Sequence, residues 1–212
     1  IIDPDFLMVR RAPRSTLVFA LVPYTTLCRS LSSVILGQSD LRRVARPELE
    51  QLSNAVKETL NLSVLLDRDI FYLDKVETHR SIVCNTKIGS RVPAYATSAG
   101  KIILADQSEA YIDDYCEWLK QCAPLTERTI IDPDRLREEL ARVRIEGYAM
   151  DNGEIASGLI CIGAPIYDLS RRVIASVSVS GPDYRMSADQ EEMIKEVKRT
   201  AANISRVLGY RG

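Results

Sequence analysis

The stretch PAYATSAGKIILA, residues 93–105, places Gly100 and Lys101 at the start of an apolar run that predicts a helix. The first amides of a helix have no intrahelical partner and carry a partial positive charge, so this position favours an anion. A phosphate-binding loop would have a glycine where this sequence has Tyr95 and a serine or threonine where it has Ile102. The stretch therefore predicts an anion site that is not a nucleotide loop.

A second group of candidate residues comes from two strand-like runs, 159–167 and 172–180, whose short connection predicts an antiparallel hairpin. With Tyr167 opposite Arg172, Cys161 lies opposite Ser178 and the side chains alternate between two faces. The apolar face consists of Ile160, Ile162, Ala164, Ile166, Val173, Ala175, Val177 and Val179. The other, which we call the small-residue face, consists of Leu159, Cys161, Gly163, Pro165, Ser176, Ser178 and Ser180.

Two interpretations of the small-residue face stay open at this point. Half-buried antiparallel strands usually turn polar residues toward solvent, which would make this face an exposed surface. However, the face contains cysteine, glycine and proline and no long charged side chain. If a helix covers it, small residues leave a cavity lined by hydroxyl groups, which is typical of a small-molecule site.

Composition excludes several classes of function. The 212 residues are 46% hydrophobic, which is enough for one large domain or one domain with an appendage. Lys and Arg total 28 against 29 Asp and Glu, so the net charge of −1 indicates neither direct DNA binding nor attachment to an anionic membrane. The apolar run 17–22 is too short to span a bilayer and lacks a cleavage site, so we expect a soluble chain.

The cysteines and the single histidine indicate no metal, cofactor or disulfide. Their number is odd and they lack the paired spacing of a zinc site, so we expect reduced thiols in the cytoplasm. They are Cys28, Cys84, Cys116, Cys122 and Cys161. A nucleophile at Ser178 or Cys161 beside Asp151 would need a base, and His79 belongs to a different segment. We therefore expect that the chain is not an enzyme.

Periodicity and end signals predict the remaining elements. The expected helices are 31–45, a second helix beginning at Pro47 with Leu49, Leu52, Ala55, Val56 and Leu60 as its buried stripe, and 109–120, 133–146 and 187–209. The expected further strands are 62–66, 70–76 and 81–86. Asp132 and Gly147 supply the start and stop of one helix, and Ser187 with Gln190 forms a capping box for the last.

Several stretches together resemble the IclR family of bacterial transcriptional regulators. They are DLRRVARPELEQLS, ETLNLSVL, RVPAYATSAGKIILA, LREELARVRIEGYAMDNGEIASGLICIGAPIYD, RVIASVSVSGP and ISRVLG, in that order along the chain. The resemblance implies an α+β fold: an N-terminal linker helix, then a GAF-like effector-binding domain whose antiparallel sheet is flanked by helices. It covers residues 36–212 as linker and effector domain. Residues 1–35 do not match the family's winged helix-turn-helix, so we expect that domain to be absent or truncated.

The resemblance also implies a ligand site. Family members hold the carboxylate of a small organic acid with backbone amides that align with Ser98 and Ala99 and with an acidic residue that aligns with Asp151. Their remaining contacts align with Leu159, Cys161, Ser178 and Ser180, and Val92 would add an apolar wall. The implied partners are a small organic-acid effector, a second copy of the chain in a homodimer or tetramer, and DNA only through the domain missing here.

Each candidate residue has a structural alternative. Ser98 could be a helix N-cap. Asp151, which precedes Asn152 and Gly153, could be a turn residue whose carboxylate bonds its own backbone. Cys161 could be a small apolar filler, and Lys101 could extend to solvent from the helix. For the whole chain, the alternatives to an effector sensor are a small-molecule enzyme and a purely structural dimerisation module.

Overall fold

A computed structural model describes residues 24–77 and 86–212. Two units divide the chain, Ile1–Leu36 and Gly37–Gly212. In the first unit the described part is the backbone of the helix that begins at Tyr24. The side chains of Cys28, Leu31, Val34 and Ile35 are not among the described residues, and we expect the last three to be unpartnered in a monomer. His79, Cys84 and residues 81–85 of the predicted strand 81–86 also lie outside the described residues, and Thr86 is described but does not belong to a strand. All that follows concerns the second unit.

The second unit is built on one antiparallel sheet of six strands in the order β3-β2-β1-β6-β5-β4. The strands are β1 Thr59–Leu66, β2 Asp69–Val76, β3 Arg91–Pro93, β4 Ala149–Asn152, β5 Leu159–Tyr167 and β6 Val173–Pro182. The helices are α1 Tyr24–Val56, α2 Ser98–Ala105, α3 Glu109–Leu119, α4 Pro133–Glu146, α5 Asp183–Met186 and α6 Gln190–Val207, with a 3₁₀ turn at Ala94–Ala96. The predicted α+β class is confirmed.

Helices cover both faces of the sheet. The outer face carries the apolar residues of β1, β5 and β6, such as Leu62, Ile162 and Val177, against the buried stripes of α1 and α6. The inner face packs against α2, behind which α3 and α4 form a second apolar cluster. The small-residue face of the hairpin is therefore interior, and the interpretation that it faces solvent is wrong.

The predicted break between two helices at Pro47 is wrong. One helix, α1, continues from Tyr24 to Val56 with Pro47 inside it, and Leu60 belongs to β1. Leu49 and Leu52 are buried against the sheet as predicted, but Ala55 is exposed. A proline costs the helix one backbone hydrogen bond, and the burial of a continuous apolar stripe on α1 outweighs that loss.

The hairpin forms as predicted, but its register differs by two residues. Cys161 pairs with Ser180 instead of Ser178, and Ser178 pairs with Gly163. Because side chains alternate with period two, this slip leaves every central residue on its predicted face. At the end of the hairpin a bulge between Ile166 and Tyr167 reverses the alternation, so Val173 packs into the inner cluster.

The last helix begins three residues later than the capping box predicts. The amide of Ser187 donates to the carbonyl of Asp183 at 2.8 Å, so Ser187 ends the short helix α5. Helix α6 then begins at Gln190 and ends at Val207. Helix α4 matches its prediction: Asp132 accepts from the amide of Arg135, and Gly147 ends the helix at a φ of 68°.

Candidate functional site

A cavity of about 230 Å³ lies between the inner face of the sheet and the N-terminus of α2. It brings together all eight residues that the sequence nominates, from five separate segments of the chain. Its lining residues are Tyr72, Thr86, Ser90, Val92, Thr97, Ser98, Ala99, Asp151, Ile155, Ala156, Leu159, Cys161, Ser178 and Ser180. Most of this surface is apolar, with hydroxyl groups and one carboxyl group placed around it, as in small-molecule sites.

The start of α2 forms one wall of the cavity. Thr97 is the N-cap, since its Oγ1 accepts from the amide of Gly100 at 3.0 Å. The interpretation of Ser98 as the N-cap is therefore wrong. Ser98 and Ala99 are the first two helical residues, where the amides find no carbonyl within the helix, and both residues are buried against the cavity.

Two glycines allow α2 to lie where it does. A Cβ on Gly100 would stand 2.0 Å from the carbonyl oxygen of Ala94, so only glycine fits under the 3₁₀ turn. A Cβ on Gly163 would stand 3.3 Å from the carbonyl carbon of Ser98, which means that this glycine lets the helix start approach β5 closely. Gly100 is therefore required for close packing of α2 against the 3₁₀ turn, and its place before Lys101 does not indicate a phosphate loop.

Strands β5 and β6 supply the floor of the cavity. Ser178 and Ser180 are each 3% exposed, and Cys161 is 9% exposed beside Ser180. Cys116, Cys122 and Cys161 are thiols rather than disulfide partners. The small side chains of Cys161, Ser178 and Ser180 leave the space that the cavity occupies, and the serine hydroxyls provide donors and acceptors along it.

Asp151 on β4 lines the cavity, and its two carboxyl oxygens have different surroundings. Its Oδ1 accepts from the amide of Glu154 at 2.6 Å, so the turn interpretation holds for this oxygen. Its Oδ2 is buried and has no hydrogen-bond partner among the described residues. Burial raises the pKa of Asp151 to about 7, and the nearby charge of Glu154 reinforces the rise. The hydrogen bond from the Glu154 amide and, more weakly, the charge of Lys101 oppose it.

Lys101 is a buried member of an ion-pair cluster, so the expectation that it extends to solvent is wrong. The ammonium group is 1% exposed and contacts the carboxylate of Glu154, the carboxylate of Glu139 at 3.5 Å and the carbonyl of Met150 at 2.9 Å. Burial raises the pKa of Glu154 although Lys101 opposes it. Burial also opposes ionisation of Glu139, but Arg142 and Lys101 outweigh it and hold its pKa below the ordinary range.

The consequence of this cluster is structural. Lys101 belongs to α2 and Glu154 to the turn after Asp151, so the ion pair connects two of the segments that surround the cavity. Lys101 itself does not line the cavity. A lysine near a helix start could bind an anionic ligand, but here the Lys101 ammonium is bound to Glu154 instead.

Six lining residues carried no clear sequence signal. Thr86 is predicted only as the last residue of the strand 81–86, and Ser90 lies in the loop that follows it. Ile155 lies in an irregular turn after Asp151. The others are Tyr72, Thr97 and Ala156. No signal for these six was available, but the sequence does carry one for the extent of the polar face: β1 repeats the pattern of β6, with Thr59, Asn61 and Ser63 at alternate positions opposite Ser180, Ser178 and Ser176. Hydroxyl and amide groups on paired strands indicate a shared polar face.

No group of three or more His, Cys, Asp or Glu that could hold a metal ion occurs in residues 24–77 and 86–212. Over the same described part of the chain, no helix is long and apolar enough to cross a membrane.

Comparison with known proteins identifies the class of protein. A family profile described as bacterial transcriptional regulator IclR C-terminal matches residues 33–206. The chain belongs to the IclR family of transcriptional regulators, and it carries the C-terminal domain of that family. Its relatives are named as transcriptional regulators and not as enzymes.

Among the relatives, HTH-type transcriptional regulator KdgR of Escherichia coli (strain K12) is 34% identical over 181 residues, covering 85% of this chain and 68% of KdgR. HTH-type transcriptional regulator BhcR of Paracoccus denitrificans (strain Pd 1222) is 36% identical over 155 residues, covering 73% of this chain and 55% of BhcR. This chain therefore spans about half to two thirds of the length of these regulators.

Solved structures agree with the fold. The C-terminal domain of E. coli KdgR superposes with a TM-score of 0.72 at 34% identity, covering 81% of this chain and 99% of that domain. An IclR homolog from Microbacterium hydrocarbonoxydans, complexed with 4-hydroxybenzoate, gives a TM-score of 0.74 at 26% identity, covering 81% and 69%. These likenesses confirm the expected GAF-like class.

Proposed function

We propose that this domain senses a small organic acid, which binds in the cavity with its carboxylate at the start of α2. The observation that carries the proposal is the convergence of the Ser98 and Ala99 amides with the hydroxyls of Ser178 and Ser180 around one cavity. A carboxylate only accepts hydrogen bonds, and amides and hydroxyls supply donors. A related IclR homolog holds 4-hydroxybenzoate, a ligand of this class.

The chemistry of the lining favours a mono-acid over a more highly charged ligand. Among the described residues that line the cavity there is no Lys, Arg or His, so backbone dipoles and hydroxyl groups must hold the negative charge. Such donors suit one carboxylate rather than several. Asp151 would repel a second carboxylate unless protonated, and it fits a hydroxyl or hydrated carbonyl at the other end of the ligand.

A thermal-shift screen of organic acids tests the proposal. An acid at a hundredfold excess over its Kd adds about 2.7 kcal/mol to the free energy of unfolding, and so raises Tm by several degrees. The methyl ester of the same acid is the matched control, and we expect it to give no shift. Consumption of the acid would instead favour the enzyme alternative, and the absence of any shift across the screen would favour a structural module.

The regulatory setting belongs to the same proposal. In the full-length cytoplasmic protein, effector binding modulates DNA binding, and the DNA contact is made by a domain outside these 212 residues. Bacterial regulators commonly bind DNA operators that consist of two half-sites, and a symmetric protein matches such a site. We therefore propose a homodimer or tetramer. Light scattering that reports only monomer at high concentration would contradict the assembly. A mobility shift by these 212 residues that is sequence-dependent and resistant to salt would contradict the assignment of DNA contact.

A further inference from the structure

Asn61 on β1 connects two walls of the cavity without lining it. Its side chain is 1% exposed on the inner face of the sheet. The amide nitrogen Nδ2 donates to Ser180 Oγ at 3.4 Å, and the amide oxygen Oδ1 accepts from Thr86 Oγ1 at 2.9 Å. Ser180 comes from β6 and Thr86 from the segment before β3, so one carboxamide contacts hydroxyls on two sides of the cavity.

These two bonds decide how each hydroxyl can meet a ligand. A hydroxyl group has one proton to donate and lone pairs to accept. Ser180 accepts from Asn61, so its own proton is available to an acceptor in the cavity. Thr86 gives its proton to Asn61, so it presents only lone pairs to the cavity. One wall therefore donates and the other accepts.

The geometry points to Asn61 as a positioning residue that fixes this polarity and so selects a hydroxy acid. The effector's carboxylate accepts from Ser180, and its hydroxyl group donates to Thr86. This inference rests on the proposed function and names the class of acid. A dicarboxylate would bring lone pairs against the lone pairs of Thr86, and an acid without the hydroxyl would leave Thr86 without a donor.

A second acceptor lines the cavity toward the opposite edge of the sheet, because Asp151 is on β4 whereas Thr86 bonds Asn61 on β1. Asp151 Oδ2 is also buried in the lining and has no hydrogen-bond partner among the described residues. When this carboxyl is ionised it accepts only, as Thr86 does. A ligand that fills the cavity therefore gains from a hydroxyl donor as well as its carboxylate. One hydroxyl supplies its proton either to Thr86 or to Asp151, and we assign it to Thr86 because Asn61 holds that acceptor in place.

The test measures Kd by calorimetry for pairs of acids that differ by one hydroxyl: 4-hydroxybenzoate with benzoate, and lactate with propionate. In the wild-type protein we expect one hydroxy acid to bind about tenfold more tightly than its partner, as one hydrogen bond to a buried acceptor allows. Thr86→Val keeps the shape and removes the hydroxyl, and Asn61→Leu removes the orienting amide. In Thr86→Val we expect the ratio of the two Kd values to fall to about one. In Asn61→Leu we expect it to fall part of the way, because the Thr86 hydroxyl can still accept but is no longer oriented.

The matched control is Asn203→Leu, because Asn203 Nδ2 bonds Glu48 Oε2 on the opposite side of the sheet. Asn203→Leu should leave the ratio of the two Kd values unchanged. If Asn61 had only a structural role, Asn61→Leu would also leave this ratio unchanged and would only lower Tm. If Asn61→Leu does not fold, Thr86→Val alone decides. Equal binding of both acids by the wild type, or a ratio that survives Thr86→Val, would overturn the inference alone. No binding of any acid would overturn the proposed function and the inference with it.

Discussion

The two faces of the sheet have the same strand alternation and the same degree of burial, but opposite chemistry. On β1, Leu60 and Leu62 point into the outer core, whereas Asn61 and Ser63 point inward, and all four are at most 1% exposed. The outer face fills its space with apolar side chains under α1 and α6. The inner face uses small polar side chains under α2 and leaves a cavity.

The difference separates stability from binding within one sheet. Burying apolar area on the outer face stabilises the fold at roughly 25 cal/mol per Å². On the inner face, Thr59 Oγ1 and Ser63 Oγ are buried without a hydrogen-bond partner among the described residues, which costs stability. Our proposal is that this face binds a ligand, and the predictions below ask whether stability and binding can be separated by mutation.

The largest effect is expected where the inner face depends on a buried charge. Lys101→Met leaves Glu154 buried without its cation and should lower the free energy of unfolding by about 3–5 kcal/mol. Urea denaturation measures the loss. Combining it with Glu154→Gln should recover part of the loss, because the remaining charge is removed. The surface control Lys120→Met breaks only an exposed pair with Glu117 and should change stability very little.

The next effect concerns the outer face. Leu62→Ala removes a fully buried side chain and should lower the free energy of unfolding by about 2–5 kcal/mol. The same variant should bind any effector with unchanged Kd, because Leu62 faces away from the cavity. Measuring both quantities on one preparation separates the tasks, and a large change in Kd with little loss of stability would break the comparison.

A pH-dependent effect, smaller at any one pH step, is expected from the buried carboxyl of the inner face. Burial raises the pKa of Asp151 to about 7, so the folded protein holds this proton where the unfolded chain releases it. Asp151 therefore opposes folding as pH rises from about 4 to 7, by at most roughly 1.4 kcal/mol per pH unit, and the contribution is constant above that window. Asp151→Asn should remove this slope.

Charges on neighbouring elements enter the same titration. Lys101 on α2 and Glu154 in the adjoining turn face Asp151, with Glu139 of α4 behind them. Glu154→Gln is the control, because it lowers the charge near Asp151 while leaving the carboxyl in place. The measurement is the free energy of unfolding from urea denaturation at several pH values between 5 and 7. The same pH dependence in the wild type and in Asp151→Asn would contradict a proton held at this site.

The sequence predicts the elements whose signals are local. The hairpin of β5 and β6, the faces of its central residues, and α4 between Asp132 and Gly147 all follow from alternation and capping residues. The eight site residues that it nominates do lie around one cavity, because alternation and the family resemblance both select the inner face. That a ligand binds there stays a prediction.

What the sequence does not predict depends on distant contacts. The continuity of α1 through Pro47 depends on a core that forms across the sheet, and the bulge that turns Val173 inward depends on the pairing of two strands. The burial of Lys101 depends on Glu154, more than fifty residues away. None of these has a local pattern, since each is decided by which segments meet in the folded domain.

The central claim is that the inner face binds a carboxylate while the outer face holds the fold together. Calorimetric titration of Ser178→Ala with whichever acid gives the largest thermal shift tests it most directly. Losing a hydrogen bond to a charged group should weaken binding by about 1.5–3 kcal/mol, or roughly 10- to 150-fold, and leave Tm without ligand nearly unchanged. Unchanged affinity in both Ser178→Ala and Asp151→Asn would contradict the account, because the ligand would then bind elsewhere.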